Sequence, residues 1–130
     1  MKVEGNNWLS FSQEDLKMAE LALKEKIYNQ VCFHSQQCVE KAIKGLIIKS
    51  GHAHPHSHKL ADLISAFTMT TMEDLKEDIL LLDRFYIPTR YPDALPGMLP
   101  EGLPSQEDAE EAIKIARVVF ERATEEIKKP

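Results

Sequence analysis

Residues 31–46 read VCFHSQQCVEKAIKGL, and this stretch decides the fold that the sequence predicts. Its apolar and small side chains recur at the spacing of one helix face: Val31, Ser35, Cys38, Val39, Ala42, Ile43 and Leu46. The glutamines, Glu40 and the lysines fall elsewhere on the helix, and Gly51 is the residue expected to end it in the left-handed conformation. The stretch therefore predicts a long amphipathic helix that ends before Ser50.

A first helix is predicted upstream, over residues 13–28. Ser12 and Asp15 have the S-x-x-D form of a capping box, and apolar residues then follow at helical spacing. These residues are Leu16, Ala19, Leu23 and Ile27. Trp8 precedes this helix, and we expect it to fold back as an apolar anchor.

Two helical segments are predicted between the second helix and a proline-rich stretch. The short one carries Leu60, Leu63, Ile64 and Phe67. The long one begins at a second capping-box pattern, formed by Thr71 and Asp74, and its apolar residues make one narrow stripe. The stripe consists of Met72, Leu75, Ile79, Leu82 and Tyr86. Arg84 lies opposite this stripe and is expected to point away from the core.

The last helix is predicted to begin at a cap formed by Ser105 and Asp108. Its inner face is rich in alanine: Ala109, Ala112, Ile113, Ala116, Phe120, Ala123 and Ile127. Small side chains allow neighbouring helices to approach closely, and Lys128 and Lys129 suit the negative end of the helix dipole.

These segments together predict an all-α fold. No stretch shows the sustained alternation of a β-strand bounded by hairpin turns, and helices that each bury one face satisfy themselves by packing together. We therefore expect one domain, residues 1–130, built as an antiparallel up-and-down bundle of four long helices plus one short helix, with a long Pro-rich loop before the last helix. The exposed faces of the first two helices are the expected place for a dimer contact.

The composition excludes several classes of protein. A net charge of −5 and a pI near 5.5 argue against a broad nucleic-acid surface, although a local basic pocket remains open. No run of about 20 apolar residues is present, and the N-terminus lacks an apolar signal core, so a cytoplasmic protein without membrane contact is expected. Cys32 and Cys38 project from different sides of one helix and are interpreted as reduced core residues.

Four histidines alternate along residues 52–58: His52, His54, His56 and His58. In an extended segment they would all face one side, and imidazole is a common ligand of zinc, copper and nickel. However, cysteine is absent nearby and Asp62 is the one close carboxylate, so a structural role is favoured over a metal site. His58 directly precedes the short helix and is interpreted as a cap or as a buried, hydrogen-bonded histidine.

The stretch YIPTRYPDAL, residues 86–95, is the candidate site of recognition. Prolines at every fourth position, Pro88, Pro92, Pro96, Pro100 and Pro104, prevent a helix. Tyr86 and Tyr91 supply stacking surfaces, Arg90 supplies a rigid guanidinium group, and Asp93 supplies hydrogen-bond acceptors. Long irregular connections inside a compact domain are usually functional or disordered, and the tyrosines and leucines argue for order.

The chain closely resembles the HEPN family, the higher-eukaryote and prokaryote nucleotide-binding domain. The motifs that carry the resemblance are Asp15-Leu16 with Ala19, FHSQQCVEKAIKGL at residues 33–46, His58 with Leu60, YIPTRYPDA at residues 86–94, and Glu107-Asp108-Ala109. The resemblance implies a helical bundle, often dimeric, in small prokaryotic proteins encoded beside a minimal nucleotidyltransferase, some of them in toxin–antitoxin pairs. Family members that cleave RNA carry an arginine followed four to six residues later by a histidine.

The sequence departs from that RNA-cleaving motif. The positions four to six residues after Arg84 hold Pro88, Thr89 and Arg90, and no histidine lies beyond His58. A general acid or base that titrates near neutrality ordinarily contributes about 10²–10⁴ in rate. The sequence therefore weakens a ribonuclease hypothesis and leaves enzymatic activity open. It implies no cofactor.

The favoured hypothesis is a module that binds a nucleotide such as ATP or GTP, or a partner protein, and works with a minimal nucleotidyltransferase. Tyr86 or Tyr91 would stack on a base, while Arg90, helped by Lys41 or Lys44, would bind phosphate. Asp93 would accept a hydrogen bond from a ribose or orient Arg90. The competing interpretation is that Arg90 and Asp93 simply pair and hold the loop in place.

Two alternative functions stay open at this point. The first is a ribonuclease that uses Arg84 or Arg90, either without the usual histidine or with His34 or His58 borrowed from elsewhere in a dimer. The second is a non-catalytic dimeric adaptor whose outer faces bind a partner protein and no small ligand.

Overall fold

The computed structural model describes residues 5–53, 56–66, 70–85, 99 and 102–130. The regular elements in these ranges are α1 (Gly5–Lys24), α2 (Tyr28–Lys49), α3 (Leu60–Ala66), a 3₁₀ segment (Thr70–Leu75), α4 (Lys76–Leu81), a second 3₁₀ segment (Leu82–Phe85) and α5 (Gln106–Ile127). The predicted all-α fold is confirmed.

The side-chain contacts establish that the helices run up and down. In α1 and α2, Trp8 lies beside Lys44 while the later Asp15 bonds the earlier His34, so these helices are antiparallel. Lys49 donates a 2.9 Å hydrogen bond to a carbonyl oxygen just beyond α5, so α2 and α5 end on the same side of the bundle.

The run from Thr70 to Phe85 crosses the bundle in the direction opposite to α5. Asp74 near its beginning contacts Arg122 in the last turns of α5, and Arg84 near its end contacts Asp108 in the first turn. This run is the predicted fourth helical segment, and it is helical throughout, but only Lys76–Leu81 is α-helical. The stripe that was predicted for it is buried at Met72, Ile79 and Leu82.

The first helix begins earlier than predicted, at Gly5, and ends earlier, at Lys24. Ser12 is therefore not a helix cap; it lies inside α1, is buried, and donates a 2.7 Å hydrogen bond to the carbonyl oxygen of Cys38. The end of α1 is set by Lys26, whose φ of 61° is left-handed. The next amide, Ile27 N, reaches back 2.9 Å to the carbonyl of Ala22, which is a helix-ending pattern usually built on glycine.

The second helix is the centre of the bundle, and it is buried on more than the one face predicted. All seven residues of the predicted face are buried, which confirms that assignment. Gln36, Glu40 and Lys44 were predicted to fall outside the buried face, and they are buried as well. They lie one turn apart in line with buried Cys32, and this stripe is covered by α1 on one side and by α3 and the second 3₁₀ segment on the other. The polar side chains must therefore find partners inside the bundle.

The capping box of α5 is confirmed. Asp108 N donates to Ser105 Oγ at 3.1 Å, and Ser105 N donates to Asp108 Oδ2 at 2.9 Å. The alanines at positions 109, 112, 116 and 123 are all buried, as the predicted close approach of α5 to its neighbours requires.

The start of α3 is capped by a residue that is distant in sequence. The two carboxylate oxygens of Asp83 accept hydrogen bonds from the amides of Leu60 and Ala61, at 2.6 and 2.9 Å. The first amides of a helix have no partner within it, so a carboxylate placed there both satisfies them and favours the helix dipole.

Replacement of Asp83 by alanine is expected to lower the free energy of unfolding by about 1–2 kcal/mol, because two amides at the start of α3 lose their acceptor. Urea denaturation followed by circular dichroism measures this change. Glu121→Ala, at an exposed site in the middle of α5, serves as the matched control and is expected to change stability by less than about 0.5 kcal/mol. Equal effects of the two substitutions would contradict the capping role.

Acid is expected to weaken the start of α5. The Ser105 backbone amide, helped by its hydroxyl and by Arg84, lowers the pKa of Asp108 below the ordinary 3.8. A carboxyl group with a lowered pKa in the folded state stabilises the protein fully above its unfolded pKa and loses that contribution as the pH falls through the folded value. As the pH falls below about 4, the wild type should therefore lose stability more steeply than Asp108→Asn, which cannot titrate. Identical slopes in urea melts, with Glu121→Gln as control, would contradict this.

Candidate functional site

The proline-rich stretch is only partly described. Tyr86, Arg90, Tyr91 and Asp93, the predicted ligand-binding residues of this stretch, lie outside the described residues. Their proposed roles therefore stay predictions.

The described residues on either side of this stretch lie close together. Arg84 Nη2 contacts Asp108 Oδ1 at 3.3 Å, and the guanidinium carbon of Arg84 lies 4.7 Å from the ring centroid of Phe85. Arg84 is thus partly exposed, as predicted, but it also joins the end of the fourth segment to the start of α5. The end of the fourth helical segment and the first turn of α5 therefore lie close together.

Two described residues near the end of the proline-rich stretch, Leu99 and Gly102, bond each other through their backbones. Leu99 N donates to the carbonyl of Gly102 at 2.8 Å, and Gly102 N donates back at 2.9 Å. Gly102 has a φ of 131°, a backbone conformation that residues other than glycine rarely adopt. The Leu99 side chain is buried. An apolar anchor of this kind holds a chain segment against the bundle.

Lys44, one of the two lysines predicted to help bind phosphate, is committed to an internal ion pair. Its Nζ lies 2.9 Å from Glu40 Oε2, and the side chains are only 7% and 3% exposed. The same ammonium lies 5.4 Å from the ring centroid of Trp8. A buried carboxylate is costly unless it is paired, so the first role of Lys44 in this structure is to neutralise Glu40.

His58 joins the same group. Its Nδ1 lies 3.2 Å from Glu40 Oε2, and its carbonyl oxygen accepts a 3.0 Å hydrogen bond from Gln36 Nε2. The prediction of a hydrogen-bonded histidine is confirmed, but the side chain is 62% exposed rather than buried, and Asp83 provides the cap of α3. We call Gln36, Glu40, Lys44 and His58 the inner polar group.

Lys41, the other predicted lysine, occupies a different and more open position. Its Nζ pairs with Asp15 Oδ2, and the other oxygen of the same carboxylate, Oδ1, lies 2.8 Å from Nδ1 of His34. The Asp15 side chain is 10% exposed, whereas those of His34 and Lys41 are 20% and 27% exposed. We call Asp15, His34 and Lys41 the outer polar group; it lies where α1 meets α2.

The alternating histidines do not form a metal centre within the described ranges. His52 Nδ1 lies 3.0 Å from the hydroxyl of Ser50, His58 pairs with Glu40, and His54 is not among the described residues. No three His, Cys, Asp or Glu side chains of the described ranges come together in a way that could hold a metal ion.

Neither cysteine has the properties of a nucleophile. Cys32 and Cys38 are both reduced and buried, as predicted. Burial raises the pKa of each thiol to about 12. Since the thiolate is the reactive form, these side chains act as core residues.

Sequence reasoning missed the two polar groups as such. It noted the lysines, but it did not foresee that Asp15 joins His34 to Lys41, because it placed Asp15 in a helix cap. The signal for the inner group was present as polar residues at positions 36, 40 and 44, which repeat every four residues through an otherwise apolar helix. Such a repeat marks a polar stripe, and in a central helix that stripe is internal.

Comparisons with known proteins agree with this architecture. None of the helices in the described ranges combines the length and apolar composition that a membrane span requires. Over 122 residues the chain is 34% identical to a protein of Methanocaldococcus jannaschii named "Putative toxin MJ1304", and the match covers 85% of this chain and 79% of that protein.

Two solved structures share the fold over nearly the whole chain. The crystal structure of ST0689, an archaeal HEPN homologue, has a TM-score of 0.77 and 31% identity, and the match covers 98% of this chain and 100% of that one. The crystal structure of TT1696 from Thermus thermophilus has a TM-score of 0.76 and 32% identity, with 97% and 99% covered. The HEPN domain profile itself matches residues 6–127, and the chain therefore belongs to the HEPN domain family.

Proposed function

We propose that this chain is the nucleotide-binding and partner-binding member of a toxin–antitoxin type pair and that it works with a minimal nucleotidyltransferase. Membership of the HEPN family supports the proposal, as does the similarity to a protein named as a toxin. The chain is proposed to act in the cytoplasm without a cofactor.

One observation favours this function over RNA cleavage. Arg84, the arginine that ends the fourth helical segment, has described contacts with Asp108 and Phe85. The histidines that a ribonuclease would have to borrow, His34 and His58, are each paired with a carboxylate of α1 or α2. Acid–base catalysis needs a titrating group within hydrogen-bond reach of the reacting atoms. Within one chain the described partners of Arg84 are Asp108 and Phe85, and no histidine is among them.

Self-association is part of the proposal. α1 exposes several large apolar side chains on its outer side: Phe11 at 44%, Met18 at 48% and Leu21 at 46%. Exposed apolar side chains that cluster on one helix are typical of protein contact surfaces. These exposed side chains support the expected dimer contact on the first helix, and we propose that the chain forms a homodimer.

The nucleotide part of the proposal predicts that Arg90→Ala weakens ATP or GTP binding at least about tenfold, because a charge-assisted contact to phosphate is lost. The melting temperature should not change. Isothermal titration calorimetry and thermal denaturation measure the two quantities. Arg117→Ala is the matched control, since Arg117 is exposed and its distance to Glu20 is 3.7 Å. Unchanged affinity with a lower melting temperature would show instead that Arg90 holds the loop in place.

The partner part is tested by co-purification with a minimal nucleotidyltransferase of the same genome, followed by an RNA-cleavage assay on the purified complex and on the chain alone. A stable complex without RNA cleavage is expected. Cleavage of RNA that disappears in Arg84→Ala would contradict the non-hydrolytic role, and the failure of any complex to form would contradict the partnership.

A further inference from the structure

The outer polar group has an arrangement that the proposed function does not use in full. Asp15 accepts one hydrogen bond at each carboxylate oxygen, from His34 at 2.8 Å and from Lys41. A carboxylate only accepts hydrogen bonds, so the proton of the imidazole that faces it must be on Nδ1. The two donors are held in place by a carboxylate that is itself almost buried.

Both donors keep further capacity toward solvent. The second ring nitrogen of His34, Nε2, has no hydrogen-bond partner among the described residues, and the ring is 20% exposed. The ammonium of Lys41 carries two protons beyond the one that it gives to Asp15. The only ring contact that His34 makes within the described ranges is edge-on with Phe33, at 5.2 Å between centroids.

The two polar groups hold the same types of charged side chain, one carboxylate, one lysine and one histidine, but their lysines differ in exposure. In the inner group the side chains of Glu40 and Lys44 are 3% and 7% exposed. In the outer group both donors reach the surface, since the side chains of His34 and Lys41 are 20% and 27% exposed. The charged groups in contact with His34 are Asp15 from α1 and, through that carboxylate, Lys41 from α2.

We propose that His34 and Lys41, held by Asp15, form a binding site for a phosphate group, most simply the phosphate of a nucleotide. Nε2 of protonated His34 and Nζ of Lys41 donate to the phosphate oxygens, and Asp15 is the positioning residue. The inference rests on the proposed function in that a nucleotide supplies the phosphate. It moves the phosphate contact from Lys44, which is buried, to the surface between α1 and α2.

Phosphate binding at this site is coupled to protonation of His34. A phosphate oxygen accepts a hydrogen bond from Nε2 only when that nitrogen carries a proton, so binding and protonation of His34 support each other.

The experiment is an NMR titration of the full chain carrying ¹³C-labelled histidine. The probes are inorganic phosphate, AMP and adenosine, each at pH 6 and pH 8 and at constant ionic strength. Phosphate and AMP should shift the His34 ring resonance saturably in the millimolar range or below, and adenosine should not. Binding of AMP without binding of inorganic phosphate at any concentration would overturn the phosphate assignment.

Variants separate the site from a merely structural bridge. Lys41→Met should weaken phosphate binding at least about tenfold at both pH values, and Lys41→Arg should restore it. His34→Gln should also weaken phosphate binding, because the charged donor is lost. Lys17→Met, an exposed lysine on α1, is the matched control and should leave binding unchanged. Equal affinity in the wild type, His34→Gln and Lys41→Met would overturn the inference, whether or not the melting temperature falls.

Failure here is distinguishable from failure of the proposed function. If ATP binding depends on Arg90 but not on His34 or Lys41, this site is refuted and the nucleotide-binding module stands. If the protein captures no nucleotidyltransferase yet His34 reports phosphate binding, the partnership is refuted and this site stands.

Discussion

The buried carboxylate of Glu40 is the constraint on which the rest of the bundle depends. It lies on the central helix α2, and its Oε2 atom is 2.9 Å from the ammonium of Lys44 and 3.2 Å from Nδ1 of His58. Burial of one charge without a partner costs several kcal/mol, whereas a paired and hydrogen-bonded carboxylate is tolerated. The pair also fixes its surroundings, because Lys44 lies against Trp8 of α1 and Gln36 bonds the backbone at His58. One carboxylate thus specifies how α1, α2 and the start of α3 fit together.

The fold decides which charged side chains are buried and which reach the surface, and the proposed function depends on those at the surface. Two of the lysines of α2, Lys41 and Lys44, are three residues apart and therefore project about 60° from each other. This difference places one of them inside the bundle and the other at its surface. Lys44 points into the bundle and neutralises Glu40, while Lys41 lies at the α1–α2 surface beside His34. A helix that is buried on most sides can offer a ligand only the side chains along its exposed edge. This geometry, rather than the presence of lysine, selects Lys41 for the proposed phosphate contact.

Features that depend on residues close together in the sequence were mostly predicted correctly, whereas features that depend on distant residues were not. The capping box of Ser105 and Asp108 was predicted correctly because it is formed within four residues, and the buried face of α2 was predicted because periodicity reports burial directly. The same local pattern failed at Ser12 and Asp15. There the tertiary partners, Cys38 for the hydroxyl and His34 with Lys41 for the carboxylate, outweigh a local cap.

Other features could not be predicted because they involve long-range partners. The cap of α3 comes from Asp83, more than 20 residues away, and α1 ends on a lysine in the left-handed conformation rather than on glycine. Of the candidate site, the sequence identified Lys41 but not the carboxylate that positions it. No local pattern reveals which acidic residue of one helix will face a given lysine of another.

The central claim, that Glu40 and Lys44 act as one internal unit, is tested most directly by a double-mutant cycle on unfolding free energy. Glu40→Leu should destabilise the protein by about 3–5 kcal/mol, because it leaves the Lys44 ammonium buried without its carboxylate. Lys44→Met should also destabilise it, by a smaller amount, because Glu40 keeps His58 as a partner. The double variant should be far more stable than the sum of the two changes implies, with a coupling energy of at least about 2 kcal/mol. Additive effects of the two substitutions would contradict the account.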